Sequence, residues 1–563
     1  MGWRTPRRSH PKTTTTAGAL LPTTTTTITT AIKVENPTTT MMSVRSNQQH
    51  QSRRSSKAAA LTTFAFVFNL LIGAGALAIP KPFAQAGAVL GAPFLALLCV
   101  FSLATALFMV EVLLTMKVIE RAEKHDGDDA VGSGGAEPPA PGELPGVVGN
   151  HHELEQPLVG GGGRGEEAAG RKMEMGTLAK SLLTPTGARL TYVVLCAYLF
   201  GDLSIYAVTI PKSLTALVCP HEEHDLALSH LSSWHCKNIA GHHGLTSDTV
   251  YRGFVLLLGI VQLPFVFQNV QKTLLIQMLS IAYRWSAFII IIAICVVQML
   301  SRREDRNWTG FARQHDFNAV LPLFGVSTYS FMCHHSLPSL LDPMLSSGSA
   351  EQLSFKRLRG PVAGALLCCL AFYLLMNCTV ALRWQASAIE DVITLNFQNF
   401  KSEVVAVFLE LFPVCTLGAS FPIIACTLRN NLQSLVVVHP DAGHGRGRGP
   451  GGHAHAARIL KDTVLPMLVL VLPLTIAFFT QNVETLVSIT GSYGGCAIEF
   501  IIPALLVHAA RKKVKRAVEN RPSGHLGAGG GLGVGILASP YAVPVILGWS
   551  IVCLVLVTIH NLS

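Results

Sequence analysis

Asp202 and Arg284 each sit near the middle of a long apolar stretch, and His334 and His335 stand side by side in another. In hydrocarbon a lone charge costs about 3 kcal/mol on insertion scales, so such a group must pair, take a proton or face water. Two readings of Asp202 are open. It is a proton-coupling carboxylate whose proton affinity a partner sets, or one half of a static Asp202–Arg284 pair that fixes helix packing. The histidines titrate near neutrality and suit a relay, with a structural hydrogen bond as the alternative. Glu111, Glu410 and Glu499 fall toward span ends or interfaces, as helix-terminal or gating groups.

The other candidates are small and uncharged. Asn69 to Pro80 reads Asn-Leu-Leu-Ile-Gly-Ala-Gly-Ala-Leu-Ala-Ile-Pro inside the apolar run 61–83, and Gly325 precedes Ser327, Thr328, Tyr329 and Ser330 in a second run. An unpaired amide in hydrocarbon costs several kcal/mol, so interrupted backbone persists only where it lines a polar cavity. A zwitterionic solute needs amide donors at a half-helix N-terminus for its carboxylate. Its ammonium needs carbonyl oxygens at an opened C-terminus. Residues 73–76 and 325–330 supply both, with Gly73, Ala74, Gly75, Ser327, Thr328 and Tyr329 as the candidate contacts. Against this stand a small-residue packing stripe and Ser/Thr bonding back to its own helix.

These residues need long apolar helices to hold them. The chain has 563 residues, half of them hydrophobic and only 13% charged, with mean hydropathy +0.43. Eleven segments can cross a core of about 30 Å: 61–84, 87–116, 189–216, 251–268 (short, interrupted by Pro264), 273–300, 318–341, 361–382, 403–430, 462–480, 484–508 and 540–561. The expected fold is an all-α polytopic membrane protein. Most of the 43 Lys and Arg fall on the side of the N-terminal tail, most visibly Arg511 to Arg516, which places the N-terminus in the cytoplasm and the C-terminus outside. Arg302, Arg303, Arg306 and Arg313 oppose that count, but Asn307-Trp308-Thr309 in the same loop is a glycosylation acceptor and needs the exterior or lumen. The net charge of +10 is mostly flank charge facing anionic lipid and carries no argument for nucleic acid.

The tail 1–60 is rich in Thr, Ser and Arg and reads as disordered. It has the basic, acid-poor composition of a transit peptide, but its Thr tracts lack an amphipathic pattern. The first span then serves as the targeting signal. Residues 118–175 and 439–457 read as flexible cytoplasmic linkers. The exterior loop 217–250 contains Cys219, Cys236 and six histidines: His221, His224, His230, His235, His242 and His243. A disulfide there is the favoured reading over a zinc site, because the spacings match no closed four-ligand pattern.

Asn69-x-x-x-Gly73-x-Gly75-x-Leu77-x-x-Pro80 resembles the first helix of the amino acid/auxin permease family. Ser330-Phe331-Met332-Cys333-His334, followed by Pro338, resembles its sixth, and Phe421-Pro422 echoes its eighth. Within that family, Gly201 to Tyr206 and Tyr329 to Leu340 resemble the transmembrane protein 104 group. The resemblance runs from about residue 60 to the C-terminus, linkers excepted. Many members carry an arginine shortly after the Phe-Pro; here the next one is Arg429.

The resemblance implies a five-plus-five inverted repeat of the LeuT-like kind plus one extra helix, with spans 1 and 6 broken. It implies a secondary active transporter of amino acids or related small solutes. In some proton-coupled relatives a basic residue on helix 5 takes the place of sodium, which makes Arg284 an argument for protons. Asn69 resembles an asparagine of sodium-coupled members, with Thr416 or Ser420 as further ion-facing hydroxyls, so proton and sodium both stay open, with protons preferred; Asp202, Arg284, Asn69 and His334 are the coupling candidates. The resident membrane is the plasma membrane or an endomembrane such as the vacuole or lysosome. The competing reading is a membrane sensor that binds the solute and signals through its tails. A metalloenzyme would need several ligands converging in the membrane, where only His334 and His335 are at hand. No phosphate loop or soluble catalytic domain is visible, which argues against an ATP-driven pump. Neither a cofactor nor a resident metal is expected.

Overall fold

The computed structural model describes residues 60–132, 173–219, 246–267, 274–301, 311, 317–346, 355–436, 458–519 and 539–562, and among them it is all-helical with no strand. Asn307, Cys236, the six loop histidines, the tail before residue 60 and the stretch 439–457 lie outside the described residues.

Among the described residues nine helices are long and apolar enough to cross a membrane, so the protein is a multi-pass membrane protein. In chain order they belong to α4 (Ala88–Gly132), α6 (Pro185–Val218), α7 (Ser247–Phe267), α8 (Leu274–Ser301), α11 (Phe355–Arg383), α12 (Glu403–Val436), α13 (Leu465–Phe479, entered through a π-turn at Leu460–Val464), α14–α15 (Val483–Thr490 and Ile502–Glu519) and α16 (Ala542–Leu562). The two expected spans missing from this set, the first and the sixth, are each divided. The first comprises α1 (Ala60–Leu71), α2 (Ala74–Ala78) and α3 (Pro80–Ala86); the sixth comprises α9 (Val320–Ser330) and α10 (Leu337–Ser346).

Local sequence explains these boundaries. Ile72 and Gly73 leave helical geometry, with Gly73 at φ −127°, ψ −148°, and the chain re-enters a helix at Ala74. Pro80 takes the first position of α3, where its missing N–H removes no bond. Pro264 does not interrupt its span: α7 runs through it to Phe267. The helix of the second span continues to Gly132, past residue 117, where the linker was expected to begin, and α5 (Met175–Leu182) precedes the third span.

Burial separates interior helices from outer ones. In α6, 72% of the apolar window is inside the protein, against 22% for α16, whose Val545, Ile551, Val552 and Val555 are left for lipid. Lipid is as apolar as leucine, so helices associate by close fit and by polar contacts. Small residues make that fit. A Cβ on Gly75 would come 2.8 Å from Ser330 Cα, and one on Gly491 would collide with the backbone of Gly325. Thus α2 crosses the end of α9, and α9 lies backbone-to-backbone against the end of α14.

Candidate functional site

The two interruptions meet. Tyr373 on α11 places its hydroxyl 2.8 Å from Leu71 O, the last carbonyl of α1, and 3.1 Å from Ser330 O, the last carbonyl of α9. Without it Ser330 O would be a bare acceptor inside the bundle, while Leu71 O would keep only Gly73 N, at 3.0 Å. One side chain from a third helix therefore serves both ends. Arg284 on α8 serves the same region: its Nη1 donates to Asn69 O at 3.1 Å. A cation at the C-terminal end of α1 complements the negative end of that helix.

This overturns one reading of Arg284. No ion pair joins it to Asp202 among the described residues. Asp202, 8% exposed, instead accepts a short hydrogen bond from the Tyr329 hydroxyl, which ties α6 to α9. The static pair fails because Arg284 is spent on the broken end of the first span.

On the α2 side, Ala74 and Gly75 begin the restarted helix, and among the described residues their amides meet no acceptor. Gly73 has open space where a Cβ would stand; Gly75 has none, because Ser330 fills it. Of the expected small-residue contacts, Gly73 faces the opening and Gly75 forms the crossing. On the α9 side the helix stays intact through Ser330, whose hydroxyl bonds back to Val326 O at 2.7 Å. The opened backbone is 331–336, one to two turns later than the expected 325–330. Gly325 is small for a different reason: Ser488 and Ser492 press against it. Ser327 and Thr328 are buried at 0% and 1% exposure with no partner for either hydroxyl, and Asn69 Oδ1 is likewise unpartnered.

In the opened stretch, His334 is wholly buried. Its Nε2 lies 3.0 Å from Thr105 Oγ1 and 3.1 Å from Ser102 O on α4. Ser102 O can only accept, so Nε2 carries the hydrogen, and Thr105 Oγ1 also lies within reach of Phe101 O and Ser102 O, at 3.0 and 3.1 Å. Nδ1 is then a bare lone pair, with no partner among the described residues. His335 lies tilted against Tyr198, ring centroids 5.6 Å apart, and Tyr198 also approaches Tyr329 at 6.0 Å. No three described His, Cys, Asp or Glu side chains converge closely enough to hold a metal.

Thr416 and Ser420 bond back to Phe412 O and Thr416 O on their own helix, and Arg429 donates to Val266 O at 3.0 Å. Cys219 is disulfide-bonded to a partner outside the described residues. Glu111 is buried within α4, where Arg511 of α15 grips it with two bonds, at 2.7 and 2.8 Å. Glu499 has no such partner among the described residues. It lies midway along the span Val483–Arg516, fully buried. Its signal was legible, since no other charged residue occurs between Glu484 and Arg511. Tyr373 had no such signal; a tyrosine among leucines reads as packing.

Residues 56–523 match the model of a family described as transmembrane amino acid transporter protein. The chain is 31% identical over 513 residues to transmembrane protein 104 of Pongo abelii, covering 88% of this chain and 94% of that one. It is 30% identical over 546 residues to the Drosophila melanogaster homolog (89% and 97%), and 33% identical over 459 residues to the Mus musculus protein (79% and 86%).

Proposed function

From the chain's membership of the transmembrane amino acid transporter family, we propose that it is a secondary active transporter of amino acids or related small solutes, working by alternating access. Eleven crossings in a five-plus-five inverted repeat carry the solute site at the interruptions of spans 1 and 6. The single observation behind this reading is the meeting of two opened helices under one tyrosine hydroxyl. A fold with no solute to hold has no use for two such breaks side by side in hydrocarbon. The solute's carboxylate sits against the unengaged amides of Ala74 and Gly75. Its ammonium finds carbonyl oxygens at the end of α9, and Ser327, Thr328 and Asn69 offer the remaining polar contacts.

Protons drive the cycle in this reading. Arg284 already holds a fixed positive charge at the end of α1, where a sodium ion would otherwise be drawn to the same carbonyls. Asp202, tied to Tyr329 beside the break, is the group that exchanges the proton. The N-terminus lies in the cytoplasm. Uptake into proteoliposomes with an imposed pH gradient and no sodium is the test, with binding measured in parallel. Solute binding without turnover would instead establish the sensor reading. Uptake that stops when sodium is withdrawn would refute proton coupling.

A further inference from the structure

We propose that Glu499 is a second proton-binding site, seated beside the hinge of the sixth span. It holds its proton as a neutral acid in this conformation and exchanges it when the hinge moves. Its occupancy by a proton stands on its own; only its use in driving transport rests on the reading above.

The surroundings of Glu499 admit little else. The side chain is 0% exposed, and among the described residues neither carboxylate oxygen has a partner in hydrogen-bonding geometry. Among the described residues no lysine or arginine pairs with it. An ionised carboxylate so placed would have neither water nor a countercharge, and the penalty of several kcal/mol falls away once a proton binds. The Ser102 hydroxyl on α4 lies beside the carboxyl and is directed to Phe331 O, 3.5 Å away. Among the described residues, Cys99 on α4, Tyr198 on α6, Cys333 in the opened stretch and Cys496 on its own helix feel its charge. A basic ring stands one contact further, at His334, whose Nε2 bonds Ser102 O. Sodium or another hard cation needs about six oxygens, and thiols do not supply them.

Geometry links this carboxyl to movement. Glu499 lies in a π-turn, Ala497–Ile501, that follows a second one at Gly491–Gly495. Such turns sit at functional sites and loosen the helix that carries them. Ser102, its neighbour, reaches the hinge twice: its hydroxyl lies 3.5 Å from Phe331 O, and its carbonyl accepts from His334 Nε2. A hinge that swings drags on Ser102 and so changes what Glu499 meets. Proton binding and hinge position are thereby coupled. The chemistry is a simple exchange: the carboxylate takes a proton from water when solvent reaches it and returns it to water on the other side.

Infrared difference spectroscopy of the full chain in lipid nanodiscs tests the site. Wild type minus E499Q should show a carboxylic-acid carbonyl band near neutral pH, shifted in heavy water, at the high frequency of an acid without hydrogen bonds. An ionised carboxylate in its place overturns the proposal. If E499Q does not fold, E499D is the second probe: its shorter side chain should move the acid band without removing it, and an unmoved band overturns the site. In proteoliposomes, uptake by E499Q, whatever its level, should no longer respond to an imposed pH gradient; a retained response overturns the coupling role. Wild type that carries no solute at all would refute the transporter reading and leave the infrared result to decide the site.

Discussion

Replacing Tyr373 with phenylalanine removes one oxygen from the point where the two interrupted spans meet. The ring stays, with its edge contact to Phe331 at 5.4 Å. What changes is the supply of one proton to two carbonyls. Leu71 O keeps a second donor, Gly73 N at 3.0 Å, whereas Ser330 O has no other described donor. A buried carbonyl left bare costs about 1–3 kcal/mol, and hydrogen bonds between membrane helices average nearer ~0.6 kcal/mol. A loss of about 1–2 kcal/mol follows, a factor of about 5–30 in the opening equilibrium. Hydrogen exchange in nanodiscs should show it, as faster exchange by that factor in peptides covering 70–78 and 329–337. The control is Tyr283→Phe. Its hydroxyl donates at 2.6 Å to Phe408 O, inside α12, a carbonyl that keeps its place in the helix. Unchanged exchange in the Tyr373 variant, or equal acceleration by both, would refute the account of the crossing.

Two glycines two residues apart should behave oppositely. Gly75→Ala forces a methyl to within 2.8 Å of Ser330 Cα and should cost about 1–3 kcal/mol, whereas Gly73→Ala meets nothing within 4 Å. Equal thermal unfolding of the two variants in detergent would contradict the packing described. Glu111→Gln leaves Arg511 without its bidentate partner. The cost should be about 1–3 kcal/mol, below the ~3–5 kcal/mol of a fully buried pair because Arg511 is 29% exposed and can rehydrate. A denaturant titration that places this variant with wild type would sink it.

The first break was legible because glycine, alanine and proline fall together inside an apolar run, a pattern that local backbone chemistry decides. The sixth was legible in kind but displaced. Gly325 looks like a helix breaker in isolation, and its true use, a backbone approach to Gly491, depends on a helix far along the chain. Asp202 and Arg284 were legible as costly charges, but spacing cannot say which partner each finds. The crossing gave Arg284 to Asn69 O and Asp202 to Tyr329. Glu499 was misplaced for a different reason. Its isolation among apolar neighbours is the stronger physical signal, and span limits read from hydropathy alone do not place it in depth.

The ends of the bundle are fastened unequally, and that asymmetry predicts which opens more readily. At the start of α4 the links are Lys81–Glu484, a single contact at 3.2 Å with side chains 24% and 16% exposed, and Lys212 to Asp391, whose other oxygen caps Val483 N at 2.9 Å. At the far end of α4 stand Lys117–Asp342 at 2.7 Å, Met173 N on the same carboxylate, and the two-pronged Glu111–Arg511 pair with Arg511 also over the Phe108 ring at 5.5 Å. A partly exposed pair held by one contact is worth little more than the about 0–1 kcal/mol of a surface pair and weakens with salt. A two-pronged pair with one partner 3% exposed holds more strongly and feels salt less. The Lys81 end should therefore open first. Cysteine substituted at Glu390 near one end and at Arg516 near the other reports this through modification by a membrane-impermeant thiol reagent in open membrane fragments, read against a cysteine-free background. Raising the salt should accelerate deeper labelling from the Lys81 side, and Asp391→Asn should do the same without salt. Faster access from the Arg511 side under either condition would mean that burial, the basis of this ordering, does not set the cost of opening.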